Sequence, residues 1–196
     1  MMPWELEHIL RAASEATGSK KFIVVGSQAI IGSYTKGIEV KDLPKTLWQS
    51  EEADLIPEPE DLWPILETEL GENSLFAKTH GYFADGVQRS SVVLPPGWEL
   101  RTIPFSSPHT NGTTGYCLEP HDLLVSKYCA GRAKDREFCQ EVIRLGLIDK
   151  SVLLERLQST YANESIKEIS TYLIEDHFKQ AIDLLDFDEG FRAKPR

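Results

Sequence analysis

Three short stretches of this 196-residue chain carry residue types that can bind and activate a charged ligand. The first is Gly26-Ser27, which follows the apolar run Phe22-Ile23-Val24-Val25 and precedes a helical pattern from Gln28 to Tyr34. Strand, Gly-Ser and helix in that order bring bare amides and the positive end of a helix dipole together, which makes a seat for an anion. Glycine lets the backbone come close to a phosphate, and serine adds a hydroxyl. Gly-Ser is also a common cap and turn pair, so by itself it does not specify a phosphate.

The second stretch is Ser50-Glu51-Glu52-Ala53-Asp54-Leu55. In a strand, Glu52 and Asp54 face the same side. Two carboxylates on one face repel unless a cation lies between them, and their hard oxygens suit magnesium or manganese. The alternative is a solvated edge of an acidic protein. The third stretch runs from Lys127 to Phe138 and sets Lys127, Arg132, Lys134 and Arg136 against Asp135 and Glu137. Lys127 shares a helix face with Leu123, Leu124 and Ala130, where an ammonium needs a partner or a ligand, and a phosphate would serve. The alternative here is a pair of helix ends with exposed ion pairs, which are worth little.

The order of these features, together with the residues themselves, resembles a known family. Val24-Val25-Gly26-Ser27-Gln28-Ala29, Ser50-Glu51-Glu52-Ala53-Asp54-Leu55, and Asp122-Leu123-Leu124-Val125-Ser126-Lys127 followed by Arg132-Ala133-Lys134-Asp135 are similar to the signature blocks of nucleotidyltransferase-like proteins of the DUF6036 type, related to the AbiEii and MenT toxins. The resemblance spans roughly residues 20 to 145. It implies a mixed α/β (α+β) sheet flanked by helices, with a helical annex at the C-terminal end. It also implies nucleotide transfer from a nucleoside triphosphate, with Mg2+ or Mn2+, to a hydroxyl of RNA or protein, and a place in a toxin–antitoxin pair with an antitoxin partner. Carried over by residue, Gly26 and Ser27 would hold the triphosphate with Lys127, Arg132 and Lys134, Glu52 and Asp54 would hold the metal, and Lys127 and Asp135 would complete the catalytic set. The family's acidic pair is usually two aspartates, whereas Glu52 stands first here, one methylene longer. A member that binds nucleotide without turnover, or a regulatory or interaction protein, is the alternative. Glu99 and Asp85 are both candidates for a third carboxylate.

The elements that must position these groups follow from periodicity. Leu6, Ile9, Leu10 and Ala13 recur at helical spacing between Trp4 and Ala16, and Gly18 ends the pattern. Phe22 to Val25 reads as a strand buried on both faces. Residues 37–49 read as a loop or short helix, Ala53 to Ile56 as a second strand ended by Pro57, and Glu60 to Leu70 as a helix with Pro64 in its first turn. Strands near Tyr82–Val87 and Trp98–Phe105, joined by Leu94-Pro95-Pro96-Gly97, are expected to be antiparallel members of the sheet. A short strand at Tyr116–Leu118 leads to a helix capped by Asp122 and running to Gly131, and a second helix starts near Lys134. Residues 150–187 read as helical. The expected organisation is a transferase domain over 1–145, packed C-terminal helices over 146–187 and a loose tail over 188–196.

Composition narrows the function classes. A net charge of -10 argues against a surface that wraps a nucleic-acid backbone, and the Lys127 to Arg136 segment is where an anionic ligand belongs. Cys117, Cys129 and Cys139 form no CxxC and read as reduced core fillers. His80, His109 and His121 lack ligand spacing, and no GxSxG nucleophile elbow occurs. The start Met1-Met2-Pro3-Trp4-Glu5 lacks the basic and apolar regions of a signal peptide, and no window approaches the ~20 apolar residues of a membrane span. The expectation is a cytoplasmic protein without a membrane partner.

Overall fold

The computed structural model describes residues 1–34 and 43–192. Helix α1 (Pro3–Thr17) starts with Pro3 in its first turn, and the Glu5 carboxylate reaches back 2.5 Å to the amide of Met2, satisfying one of the donors a helix start leaves open. Its apolar face, Leu6, Ile9, Leu10 and Ala13, is fully buried. Strand β1 (Lys21–Val24) follows and becomes the middle of a five-stranded sheet. It pairs antiparallel with β2 (Glu52–Pro57) and parallel with β5 (Thr114–Cys117). The edges are β3 (Phe83–Gly86), parallel to β2, and β4 (Ile103–Phe105), antiparallel to β5, in the order β3-β2-β1-β5-β4.

Register sorts the side chains into two faces. Phe22, Val24, Ala53, Leu55, Ala84 and Cys117 lie on one face, where α1 covers them: a Cβ added to Gly115 would sit 3.0 Å from Leu10. Helix α3 (Trp63–Leu70) packs against β3 and α1 and buries Leu66 and Leu70. The opposite face carries Ile23, Ile56 and Tyr116 and, toward β3, Glu52, Asp54 and Asp85. One side of the sheet is therefore sealed by helices, and the other presents carboxylates.

Because β3 and β4 stand at opposite edges, residues 87–102 must cross the whole sheet between them. They do so as a strap over the carboxylate face, in two 3-10 turns, Arg89–Ser91 and Trp98–Arg101. The strap is fastened at each end. Arg89 donates to Glu58 at 3.0 Å, and Arg101 donates to both oxygens of Asp122 at 2.8 and 3.1 Å.

Asp122 belongs to α5 (Pro120–Ala130), which is followed by α6 (Ala133–Arg144), α7 (Lys150–Ser159) and α8 (Glu164–Arg192). Helices α7 and α8 pack on α5, and α8 also on α6, burying Leu153, Leu157 and Ile174. Tyr128 and His177 share a hydrogen bond of 2.8 Å between α5 and α8. The backbone of α8 continues to Arg192, into the stretch read as a tail, and 193–196 lie outside the described residues. Among the described residues no helix is long and apolar enough to cross a membrane.

Several sequence expectations change. Strand β3 is parallel to β2, because the chain reaches it through α3 and α4 (Leu75–His80), a crossover rather than a hairpin. Trp98–Arg101 is a 3-10 turn, and only Ile103–Phe105 joins the sheet. Glu60–Leu62 is a 3-10 turn ahead of α3. Helix α5 is capped by Glu119, whose carboxylate accepts from the amide of His121, while Asp122 points inward as a buried counter-ion. Of residues 37–49, those numbered 37–42 lie outside the described residues, and Lys45–Leu47 forms a 3-10 turn. The three cysteines are free, two of them buried.

Asp122 is fully buried and takes Arg101 from the strap and Arg156 from α7, the latter at 2.9 Å. Removing Asp122 leaves Arg101 without its carboxylate while Arg156 keeps Glu119, so Asp122→Ala is expected to lower unfolding free energy by about 2 kcal/mol. Urea denaturation checks this, and a loss below ~1 kcal/mol would show that the strap and α7 are held by other means.

Candidate active site

The turn after β1 is shaped by a carboxylate. The strand pairing runs one residue further through Val25, whose amide donates to the Asp54 carbonyl at 3.0 Å, and the next residue is Gly26. A Cβ on Gly26 would fall 1.7 Å from Oδ2 of Asp54. A side chain at Gly26 would force the Asp54 carboxylate out of this position. Gln28 is fully buried and its Nε2 donates to the Ser50 carbonyl at 3.1 Å, fastening the turn to the start of β2.

Ser27 was expected to cap an α-helix over 28–34. Instead Ser27–Ile30 is a 3-10 turn with Gly26 in the cap position, followed by the four-residue α2 (Ile31–Tyr34), so little helix dipole is available. The Ser27 hydroxyl serves another purpose. It accepts a hydrogen bond of 3.0 Å from Nζ of Lys127.

Lys127 comes from the last turn of α5 and is buried. Gly131, at φ +67, ends that helix in the left-handed region, and the chain re-enters a helix at once. This tight reversal brings Asp135, in the first turn of α6, back to Lys127 at 3.1 Å. Asp135 also accepts from Nε of Arg132 at 2.6 Å, and the face of Phe138 lies 4.4 Å from the Lys127 ammonium. Burial works to raise the Asp135 carboxyl, but hydrogen bonds from Arg132 and Lys127 outweigh it and hold the group below the usual carboxylate range. Asp135 is therefore a fixed anion with its oxygens engaged.

The carboxylates on the sheet are in the opposite condition. Glu52 and Asp54 share a face of β2, and Asp85 stands directly across from Asp54 on β3. Burial, the Glu52 charge and a hydrogen bond shared with Glu52, and then the Asp85 charge push Asp54 up to about 7, against a smaller pull from Lys127. Asp85 is raised to about 6 by burial, Glu67, Glu52 and Glu72. Its Oδ1 is buried without a hydrogen-bond partner. The choice of third carboxylate thus falls on Asp85: Glu99 is largely exposed on the strap, 3.9 Å from Arg89, and lines a different cleft.

The structure brings the sequence-derived residues together. Gly26, Ser27, Glu52, Asp54, Lys127, Arg132, Lys134 and Asp135, with Ser50, surround one polar recess of about 40 Å3. It adjoins a cleft of about 280 Å3 that shares Gly26, Asp54, Lys127 and Arg132 and adds an apolar wall from Val25, Val87, Val92 and Leu123. Ser91, Ser126 and Phe138 were not foreseen. Ser126 neighbours Lys127 in sequence, and Phe138 lies one helical turn beyond Asp135, but nothing in the sequence shows that the strap delivers Ser91 and Val92 to this wall. The histidines stay outside. His121 bonds Glu119 and receives the Asp149 amide, and His80 packs edge-on against His8.

The donor set fits a magnesium-sized cation. Its atoms are hard carboxylate oxygens, one of them buried and unpaired, and the charge that raises Asp54 and Asp85 is of the sign a cation would offset. Among the described residues no group of three or more His, Cys, Asp or Glu side chains is placed to hold a metal ion together, and magnesium commonly uses only one or two carboxylates with substrate phosphates and water.

Residues 5–184 match the family described as nucleotidyltransferase of unknown function, DUF6036, and the chain belongs to it. No curated protein and no solved structure matches the chain.

The raised carboxyls give a signed pH dependence. Between the ordinary carboxylate range and about pH 7 the folded protein holds protons on Asp54 and Asp85 that the unfolded chain has released, so stability from these groups is lost as pH rises through about 6 and 7. Melting temperature, measured as the difference between wild type and Asp54→Asn, is expected to fall from pH 5.5 to 8, and magnesium should restore part of it at pH 8. A difference that rises with pH would contradict the assignment.

Proposed function

We propose that this member of the nucleotidyltransferase family transfers a nucleotide from a nucleoside triphosphate to a hydroxyl of RNA or protein, with Glu52 and Asp54, assisted by Asp85, as the metal-binding set. The observation that carries this reading is the contact of Asp54 with Gly26. It places carboxylates beside a turn whose serine is bonded to a buried lysine, so that acid and cation face one recess.

In this reading the residues divide the work. Magnesium, when bound by these carboxylates, supplies charge neutralisation at the phosphates and at the attacking oxygen. Gly26 and Ser27 seat phosphate oxygens through backbone amides and the serine hydroxyl. Lys127 faces the recess with its ammonium already oriented by Ser27, Asp135 and the ring of Phe138, so little reorganisation is needed as charge develops on the leaving pyrophosphate. Arg132 and Lys134 add positive charge at the rim.

Asp135 acts by positioning Lys127, since its oxygens are engaged and its carboxyl is held low. In the transfer, the acceptor oxygen forms a bond to the α-phosphorus, the bond from that phosphorus to the β-bridging oxygen breaks with pyrophosphate leaving, and the hydroxyl proton passes to solvent at the open recess. The apolar wall of Val25, Val87, Val92 and Leu123 gives the nucleoside portion a place to leave water. Membership of a toxin–antitoxin pair, with an antitoxin partner in the cytoplasm, is supported by the resemblance alone.

The test is transfer of label from α-labelled nucleoside triphosphates to total RNA and to protein in magnesium. Asp54→Asn is expected to lower the rate at least about a hundredfold, the scale on which charge-stabilising groups act. Equal labelling by the variant would sink the proposal. Triphosphate binding without transfer in the wild type would instead identify a binding protein, the outcome that Glu52 in place of an aspartate makes worth distinguishing.

A further inference from the structure

The strap divides the carboxylate face of the sheet into two clefts. Ser91 and Val92 wall the cleft that holds Asp54, while Arg89, Trp98, Glu99 and Thr102 wall a second one of about 190 Å3, floored by Ile23 and Tyr116 and rimmed by Lys21 and Glu58. Strand β1 connects them. Ile23 lies in the second cleft and Val25 in the first, two residues or about 7 Å apart along the strand. The two clefts therefore lie side by side along β1.

The composition of the second cleft specifies what it holds. Trp98 is nearly buried, and the Arg89 guanidinium lies 5.4 Å from its ring centroid. Trp98 backs the Arg89 guanidinium, so the planes open to the cleft are that guanidinium and the Tyr116 ring, surfaces on which unpaired bases stack. The polar groups are of both signs. Glu58 and Glu99 are acceptors that face Arg89 at 3.0 and 3.9 Å, and Lys21 is a donor that no carboxylate pairs with among the described residues. A lone anion or a lone cation would leave half of these groups opposed to it. A nucleobase edge carries donors and acceptors side by side and can answer both. A tyrosine ring has a similar flat shape, but its single hydroxyl would leave the carboxylates and the ammonium unmatched. The volume of about 190 Å3 suits one flat ring, with an attached ribose toward the open side.

We infer that the second cleft, between Tyr116 and the Arg89-Trp98 stack, is the acceptor subsite and binds a nucleoside, either free or as the unpaired terminal residue of an RNA strand. This rests on the transferase reading for its role as acceptor, but the binding itself does not depend on that reading. The strap then has a definite part: it separates the incoming nucleotide from the acceptor and gives each a wall.

The experiment is a titration of the full chain with adenosine, guanosine, cytidine and uridine, following the indole N–H signal of Trp98 by NMR, assigned with Trp98→Phe. At least one nucleoside is expected to shift that signal saturably in the millimolar range. Glu99→Gln and Lys21→Ala, both at exposed positions, should weaken the binding about tenfold, of the order that loss of a base contact produces. A trinucleotide with a free 3′ end that binds more tightly identifies a strand end as the source, and equal affinity identifies the free nucleoside. N-acetyltyrosinamide in place of the nucleosides, or no ligand moving the Trp98 signal, overturns the inference. Magnesium with triphosphate, added separately, reports on the Gly26 and Ser27 amides, so failure there counts against the transferase reading and leaves the nucleoside result standing on its own.

Discussion

The contact between the Asp54 carboxylate and the backbone of Gly26 is the constraint on which the rest of this site depends. It fixes how β2 meets the turn after β1, because no side chain can be added at Gly26 without meeting Asp54 Oδ2. With that turn set, Ser27 faces α5, and the lysine it meets is held in turn by α6. Four elements far apart in sequence thus converge through one close approach.

Two charge clusters of opposite character result. Around Lys127 the charges are matched: Asp135 accepts from both Lys127 and Arg132, and Asp135 and Arg132 are stabilised in their ionised forms. Across the recess, Glu52, Asp54 and Asp85 are like charges on one sheet face, and Asp54 and Asp85 hold protons more tightly than ordinary carboxylates. The matched cluster is rigid and pre-oriented, whereas the unmatched one gains most from a cation. Such separation of a settled cation from unsettled carboxylates suits a reaction in which negative phosphate must be drawn in and then released.

Much of this was legible in the sequence because the decisive residues sit in strongly patterned segments. The apolar run at Phe22, the alternation that puts Glu52 and Asp54 on one face, and a lysine on an apolar helix face each have one sensible placement. What the sequence did not show is long-range. The direction of β3 depends on a crossover through α3 and α4, and the short local pattern of Tyr82 to Val87 is the same for either direction. Asp122 looks like a cap because caps are usually aspartates near helix starts, yet its partners, Arg101 and Arg156, come from distant segments. Ser27 likewise has the residue type of a cap, but a lysine 100 positions away claims its hydroxyl. Within residues 87–102 the sequence reads as a turn at Leu94–Gly97 leading into a strand from Trp98, and only the placement of β3 and β4 at opposite edges makes the segment cross the site.

We propose that the carboxylates of β2 and β3 hold a divalent cation beside the Gly26 turn. Anomalous diffraction from crystals grown with manganese and a non-hydrolysable triphosphate would locate it. An anomalous peak bonded to Asp54 is expected, with Glu52 or Asp85 as a further ligand and phosphate oxygens reaching Ser27. Manganese bound elsewhere on the chain, with Asp54 still buried against Gly26 and free of metal, would contradict it.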